Sequence, residues 1–237
     1  LSFIYLVRHG QAGARDNYDV LSDLGREQAR LLGLYLAGQN VQPDFIYAGS
    51  FNRQRLTAKI ACEELSRSRS LPEITIDNRW DEFSLRSLYR SFAPRLAEES
   101  EEFARDIEEM NRQLIADPHA TRGAAGRCDA AMVLAWMANR FPDYEGESWA
   151  GFQSRIHSLV PDLSNHGGDK TILVFTSATP ITIMTGAALG LRNESLLRLM
   201  GVVYNTSVTV MRAQDDDIRL FTYNSTPHLN DLLRTFR

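Results

Sequence analysis

The chain has 237 residues, 43% of them hydrophobic, with a formal net charge of -4 at pH 7. That length buries a sizeable core, and the intermixed charges leave no basic stripe of the kind that binds nucleic acid. No apolar run approaches the roughly 20 residues of a bilayer-spanning helix, and the first residues lack the basic and apolar blocks of a signal peptide. The cysteines, Cys62 and Cys128, fit neither a disulfide framework nor a metal-ligand spacing. The expectation is one cytoplasmic α/β domain over residues 1–237, with a small-molecule partner, no nucleic acid, no membrane, no cofactor and no metal; oligomeric state is not encoded in these features.

Phe3 to Val7 is an apolar, β-branched and aromatic run that stops at Arg8-His9-Gly10-Gln11. Such a run predicts a buried parallel strand delivering polar side chains to the carboxyl edge of a sheet. Ser22 predicts a helix N-cap, followed by a mostly apolar stripe at Leu24, Gln28, Leu31, Leu32, Tyr35 and Leu36, with Gly38 as the left-handed residue at the C-terminal end. Asp44 to Ala48 predicts a second short strand and Arg53 to Leu65 a second helix. This strand, helix, strand, helix order implies right-handed crossovers and a parallel sheet. Arg8 and Arg53 then both fall just beyond strand ends, where open α/β sheets bind ligands.

After the extended stretch Glu73 to Asp77 the character changes. Leu96, Phe103, Ile107, Met110 and Leu114 recur at helical spacing around the charged run Glu98 to Glu102, which reads as a solvated helix face. Gly123 to Gly126 reads as a joint before a helix carrying Met132 and Trp136. Ser148 to Asn165 predicts a helix that Pro161 kinks or ends early. Thr171 to Thr176 predicts a strand, Thr179 and Pro180 the start of a helix closing near Gly190, and Asn193 the cap of another. Ser207 to Arg212 and Ile218 to Tyr223 predict an edge hairpin whose joint, Asp215-Asp216-Asp217, reads as a solvated turn rather than a metal site.

Several of these blocks, in this order, resemble the histidine phosphatase superfamily of phosphoglycerate mutase-like proteins. Arg8-His9-Gly10-Gln11 is similar to its signature, and Leu21 to Ala29 to its first-helix start. Tyr47 to Ala58 is similar to the segment with its second phosphate-binding arginine, which falls on Arg53. Arg79-Trp80-Asp81-Glu82-Phe83 is similar to the segment with its general acid, which falls on Glu82, with Asp81 the local competitor. Gly146-Glu147-Ser148 and Asn205-Thr206-Ser207 also match. The resemblance implies a three-layer α/β/α fold with a mainly parallel sheet and a helical cap insertion at about 84–147.

It also implies a chemistry that the residue types suit. Arg8 and Arg53 are planar cations for bidentate contact with a phosphate, and beside them His9 keeps a neutral imidazole with a lone pair for the phosphorus. Glu82 supplies the proton for the leaving oxygen. Gln11 falls on a position near the phosphate in relatives. One position departs from the family: Ser177 stands where its second histidine is expected, and brings a hydroxyl without charge. His119, His157, His166 and His228 read as surface or capping residues rather than replacements. The expected function is a phosphomonoester hydrolase working through a phosphohistidine on His9, acting on a phosphorylated small molecule or phosphopeptide. Its alternatives are a catalytically weak relative that binds a phosphorylated ligand or partner, and a mutase-type phosphotransferase.

Overall fold

The computed structural model describes residues 2–67, 69–166, 169–214 and 217–236. Its strands are β1 (Ser2–Arg8), β2 (Phe45–Ala48), β3 (Ile74–Ile76), β4 (Thr171–Thr176), β5 (Val208–Gln214) and β6 (Asp217–Ser225). Its helices are α1 (Asp23–Gly38), α2 (Asn52–Ser66), α3 (Leu85–Glu99), α4 (Glu101–Ala116), α5 (Gly123–Met137), α6 (Trp149–His157), α7 (Leu159–Ser164), α8 (Ala178–Leu189) and α9 (Asn193–Met200). Two compact units contain them, Leu1–Glu82 with Arg155–Arg237, and Phe83–Ser154.

The first unit is built on a sheet of order β3-β2-β4-β1-β5-β6. β3, β2, β4 and β1 pair in parallel, β5 runs antiparallel to β1, and β6 antiparallel to β5. This is the mixed, mostly parallel α/β fold expected. Both faces of the central strands are covered, which is why β1 and β4 read as near-continuous apolar runs. Val7, Ile46, Leu173 and Phe175 pack on one face with Leu32 and Leu36 of α1 and Ala58, Ala61, Cys62 and Leu65 of α2. Alternation along the strands sends the buried Ile4 and Leu6 to the other face, and α7 and α8 both pack against β1.

Local chemistry sets the helix ends. Ser22 caps α1 by accepting from the Gly25 amide at 3.0 Å. Gly38 remains helical; the left-handed residue beyond α1 is Asn40, at φ 55°, so the asparagine rather than the glycine makes the turn. Gly10 and Gly25 are mutual necessities. A Cβ on Gly10 would meet the Gly25 carbonyl oxygen at 2.4 Å, and one on Gly25 would meet the Gln11 oxygen at 2.2 Å. Two missing side chains therefore let the loop after β1 lie directly on the first turn of α1.

Other boundaries move from their expected places for physical reasons. The helix over 148–165 ends early, as Pro161 implies, at His157, and Pro161 itself lies in the first turn of α7, where a missing N–H costs nothing. Ser177, not Thr179, is the N-cap position of α8, which ends at left-handed Gly190 (φ 64°). Arg192 takes the cap position of α9, with Asn193 its first residue. The hairpin forms as β5 and β6; Asp215 and Asp216 lie outside the described residues, and Asp217 pairs with Arg219 at 3.0 Å.

The second unit is helical. The acidic run expected on one helix face is instead interrupted by Ser100, whose side chain caps α4 at the Phe103 amide and leaves Glu101 and Glu102 in the favourable first turn. Gly123 to Gly126 is the first turn of α5, not a joint, and its left-handed entry is Gly123 at φ 65°. Leu88, Phe92, Phe103, Met110, Cys128 and Met132 are buried within the unit. Among the described residues, no helix is long and apolar enough to cross a membrane.

Candidate active site

Strand register brings the polar segments to one edge. Arg8 is opposite Thr176 in the β1–β4 ladder, and the His9 amide donates to the Thr176 carbonyl at 2.9 Å, so His9 and Ser177 leave the sheet side by side. β2 ends beside them at Ala48 and leads into α2, whose first turn carries Arg53. β3 ends at the same level and leads to Glu82. This is the carboxyl edge of the parallel strands.

His9 is 1% exposed and Arg8 and Arg53 are each 5% exposed, so imidazole and cations share a desolvated region. His9 Nδ1 donates to the Gly10 carbonyl at 2.7 Å, while Nε2 accepts from Arg53 Nε at 3.3 Å. Those partners require the neutral Nδ1–H tautomer, because a proton on Nε2 would face the arginine N–H. Burial holds His9 well below the ordinary histidine range, and Arg53 and Arg8 push the same way. Arg8 donates to the Val203 carbonyl and to Tyr18. Burial lowers its guanidinium from the ordinary value, opposed by Tyr18 and Glu82. Arg8 Nε is buried without a protein hydrogen-bond partner among the described residues.

Glu82 sits at the start of α8, where its Oε2 accepts from the Thr179 amide at 3.1 Å. Its neighbour Asp81 is otherwise engaged, accepting from the Ser50 amide at 2.5 Å and the Ser50 hydroxyl at 2.6 Å. The segment before them is held by Trp80, 1% exposed, whose carbonyl accepts from Thr176 Oγ1 at 2.6 Å and Gln54 Nε2 at 3.1 Å. Gln54 Nε2 also donates to Ser177 Oγ at 2.9 Å, so the fully buried Ser177 hydroxyl belongs to a bonded network. Gln11 turns the other way. Its Oε1 accepts from Ser22 Oγ at 2.7 Å and its amide donates to Gln28 Oε1 at 2.8 Å, tying it to α1 rather than to the Arg8, His9, Arg53 group.

The other histidines lie elsewhere or serve the frame. His166 stacks on Phe45 with centroids 4.1 Å apart, and His119 is exposed. His228 Nε2 donates to Thr206 Oγ1 at 3.0 Å, and burial holds its pKa down to about 4. Thr206, at φ 54°, donates its amide to the Arg8 carbonyl at 3.1 Å, and Asn205 Nδ2 donates to the His9 carbonyl at 3.1 Å. The Asn205-Thr206 turn therefore fixes the backbone that presents His9. Among the described residues, no group of His, Cys, Asp and Glu side chains is arranged to hold a metal ion.

Two neighbours of the site carry no local sequence signal. Tyr18 packs edge-on against His9, with centroids 6.2 Å apart, and Arg53 Cζ lies 4.9 Å from the Tyr18 ring centre. Asp19 bonds Arg53 Nη1 at 3.0 Å. Both residues lie on an excursion closed at its base by the Ala12–Leu21 bridge and the Gly13 to Val20 hydrogen bond, so only the folded chain puts them against α2.

The sequence model of the histidine phosphatase superfamily (branch 1) matches residues 4–226. No curated protein sequence gives a significant match. Among solved structures, the chain is similar to phosphoserine phosphatase from Entamoeba histolytica in complex with 3-phosphoglyceric acid, at 17% identity and TM-score 0.63 over 97% of this chain and 100% of that one. It is also similar to phosphoglycerate mutase from Bacillus anthracis, at 18% identity and TM-score 0.62 over 96% and 94% of the two chains. A mycobacterial glucosyl-3-phosphoglycerate phosphatase gives 21% identity and TM-score 0.62 over 94% and 98%. These likenesses extend the fold match over nearly the whole of each chain, and the family match covers the strands and loops that carry Arg8, His9, Arg53 and Glu82: the chain belongs to branch 1 of the histidine phosphatase superfamily.

Proposed function

We propose that this protein is a metal-independent phosphomonoester hydrolase that works through a phosphohistidine on His9, acting on a phosphorylated small molecule or phosphopeptide. The observation that carries the reading is the fixed imidazole, with Nδ1–H held by the Gly10 carbonyl and the Nε2 lone pair turned toward Arg53. A neutral histidine between two buried guanidiniums combines a nucleophile with the charge that draws in a phosphate dianion. The orphaned Arg8 Nε is a donor that a phosphoryl oxygen would satisfy.

In the reaction, Nε2 forms a bond to phosphorus as the bond to the leaving oxygen breaks, and that oxygen takes the proton of Glu82. Water then attacks the phosphohistidine, its proton passes to the Glu82 carboxylate, the phosphorus–nitrogen bond returns its electrons to Nε2, and orthophosphate leaves. Arg8 and Arg53 neutralise the equatorial oxygens in both steps. Ser177, at the position where the family's second histidine is expected, supplies no charge, and its hydroxyl already accepts from Gln54. That observation favours the second reading, a weakly active relative that binds phosphorylated ligands or partners.

A panel of small phosphometabolites, phosphopeptides and an aryl phosphate, assayed with wild type and His9→Ala with and without chelator, tests the proposal. Hydrolysis lost in His9→Ala and unchanged by chelator supports it. Phosphate binding with no hydrolysis of any panel member favours the binding-only reading.

A further inference from the structure

Asp19 meets Arg53 and α2 at three points. One carboxylate oxygen accepts from the Arg53 amide at 3.3 Å and from Arg53 Nη1 at 3.0 Å, and the other accepts from the Asn52 amide at 3.1 Å. α2 has Phe51 at its cap position, a residue with no side-chain oxygen to offer, so a carboxylate from 33 residues away takes over the first amides of the helix. Capping alone does not require the bond to Nη1.

Guanidinium geometry gives that bond a consequence. Nε–H and one N–H of Nη2 point the same way along one edge, and Nη1 lies on the other side. With Nη1 held by Asp19, the Nε edge of Arg53 faces His9 Nε2 at 3.3 Å. The guanidinium plane is also fixed, with Cζ 4.5 Å from the Phe51 ring centre and 4.9 Å from that of Tyr18. A phosphoryl group on Nε2 would lie along this edge.

We propose that Asp19 is a positioning residue for phosphoryl transfer, holding Arg53 by Nη1 so that its Nε edge stays against the nucleophilic nitrogen of His9. This rests on the hydrolase reading above only for its consequence on turnover; the effect on His9 stands without it. Freed from Asp19, Arg53 can rotate away on its long side chain, and Nε2 loses both its donor and its nearest positive charge. Among the described residues, the charged and titratable groups around the imidazole are Arg53, Arg8 and Tyr18, and the first is the one Asp19 holds.

The test uses Asp19→Asn, whose amide oxygen still caps α2 but holds Arg53 Nη1 without an ion pair, and Asp19→Ser, a cap-competent side chain one atom shorter. Two readouts are taken, turnover of a substrate that wild type cleaves, and the titration of His9 followed by nitrogen NMR. The expected result is a loss of kcat/KM of roughly 10- to 100-fold, carried by kcat, with the His9 midpoint moved up toward 6.5 and melting little changed. Variants that melt earlier yet keep the wild-type kcat and His9 titration would overturn the proposal and leave Asp19 as a helix cap. If wild type hydrolyses nothing, the hydrolase reading fails, while a raised His9 midpoint still supports the role of Asp19 and an unchanged one rejects it.

Discussion

Arg53 Nε and His9 Nε2 lie 3.3 Å apart, the arginine donating and the imidazole accepting. The contact joins the end of β1 to the first turn of α2, segments 44 positions apart in sequence, and does two opposite things. It keeps His9 neutral and aimed, and it occupies the lone pair that a phosphorus atom needs. In the proposed mechanism a substrate would take the arginine's donors onto its own oxygens before the nitrogen is free, which would couple phosphate recognition to release of the nucleophile.

Arg53→Lys should separate charge from geometry. A lysine ammonium is a point charge that cannot hold Asp19 and line the His9 edge together. The expected loss of kcat/KM is about 10²- to 10³-fold, the cost of removing one preorganised donor. Steady-state kinetics at fixed ionic strength check it, and a lysine variant within threefold of wild type would show that charge alone suffices.

Acid should affect activity later than an ordinary histidine would allow. Burial and the two arginines hold His9 well below 6.5, so the free protein keeps this imidazole unprotonated through pH 6.5 and protonates it only at lower pH. The profile of kcat/KM, corrected for the substrate's own phosphate ionisation, should show no enzyme limb near 6.5. A limb at or above 6.5 that follows His9 in NMR would contradict the buried geometry.

Stability should carry its own acid signature from His228. In the unfolded chain this group takes up a proton near 6.5, but in the folded one only near 4, because burial opposes its charge. Protons therefore bind the unfolded chain preferentially in that window, and stability falls as pH drops from 6.5 toward 4 by on the order of 3 kcal/mol. Urea titrations of wild type and His228→Gln at pH 7 and pH 4.5 should show a smaller acid loss in the variant.

Gly25→Ala should be costly although alanine favours helices. The added carbon would sit 2.2 Å from the Gln11 oxygen, a backbone atom that cannot swing aside. The expected destabilisation is roughly 1 to 3 kcal/mol, with loss of activity because the displaced segment adjoins His9. Thermal melting and kcat/KM measured together check both parts.

Ser177→His should destabilise rather than improve the protein. The hydroxyl is 1% exposed and bonded to Gln54, which also holds the Trp80 carbonyl, so an imidazole must break that network to enter. Ser177→Ala leaves Gln54 its bond to Trp80 and should cost only about 1 kcal/mol. A Ser177→His protein as stable as wild type, with higher kcat/KM, would show that the site accommodates a second histidine.

What the sequence made legible was local. The apolar run ending at Arg8-His9 needs both faces buried, and Ser22 before an apolar stripe is a cap by chemistry; both follow from residues close in the chain. Gly38 misled because a left-handed turn needs a residue that tolerates it, and Asn40, two positions later, does. Pro161 was legible as well: the helix expected over 148–165 ends at His157, four residues before it, where the proline ring and its missing N–H disrupt the helical bonding. The acidic run is solvated as its charge implies, with Glu98, Glu99, Glu101 and Glu102 exposed, but it spans two helices because Ser100 offers a cap that charge periodicity does not show. Tyr18 and Asp19 were invisible because their contacts with His9 and Arg53 depend on an excursion folding back on itself. The same holds for Asp81, whose carboxylate is occupied by Ser50, 31 positions earlier.

Transfer of the phosphoryl group to His9, as proposed, is tested most directly by rapid quench with phosphorus-labelled substrate. A labelled protein should form within one turnover, stable to base, lost in acid, and absent from His9→Ala. Turnover at the wild-type rate in His9→Ala, or label that survives acid and maps to another residue, would contradict it.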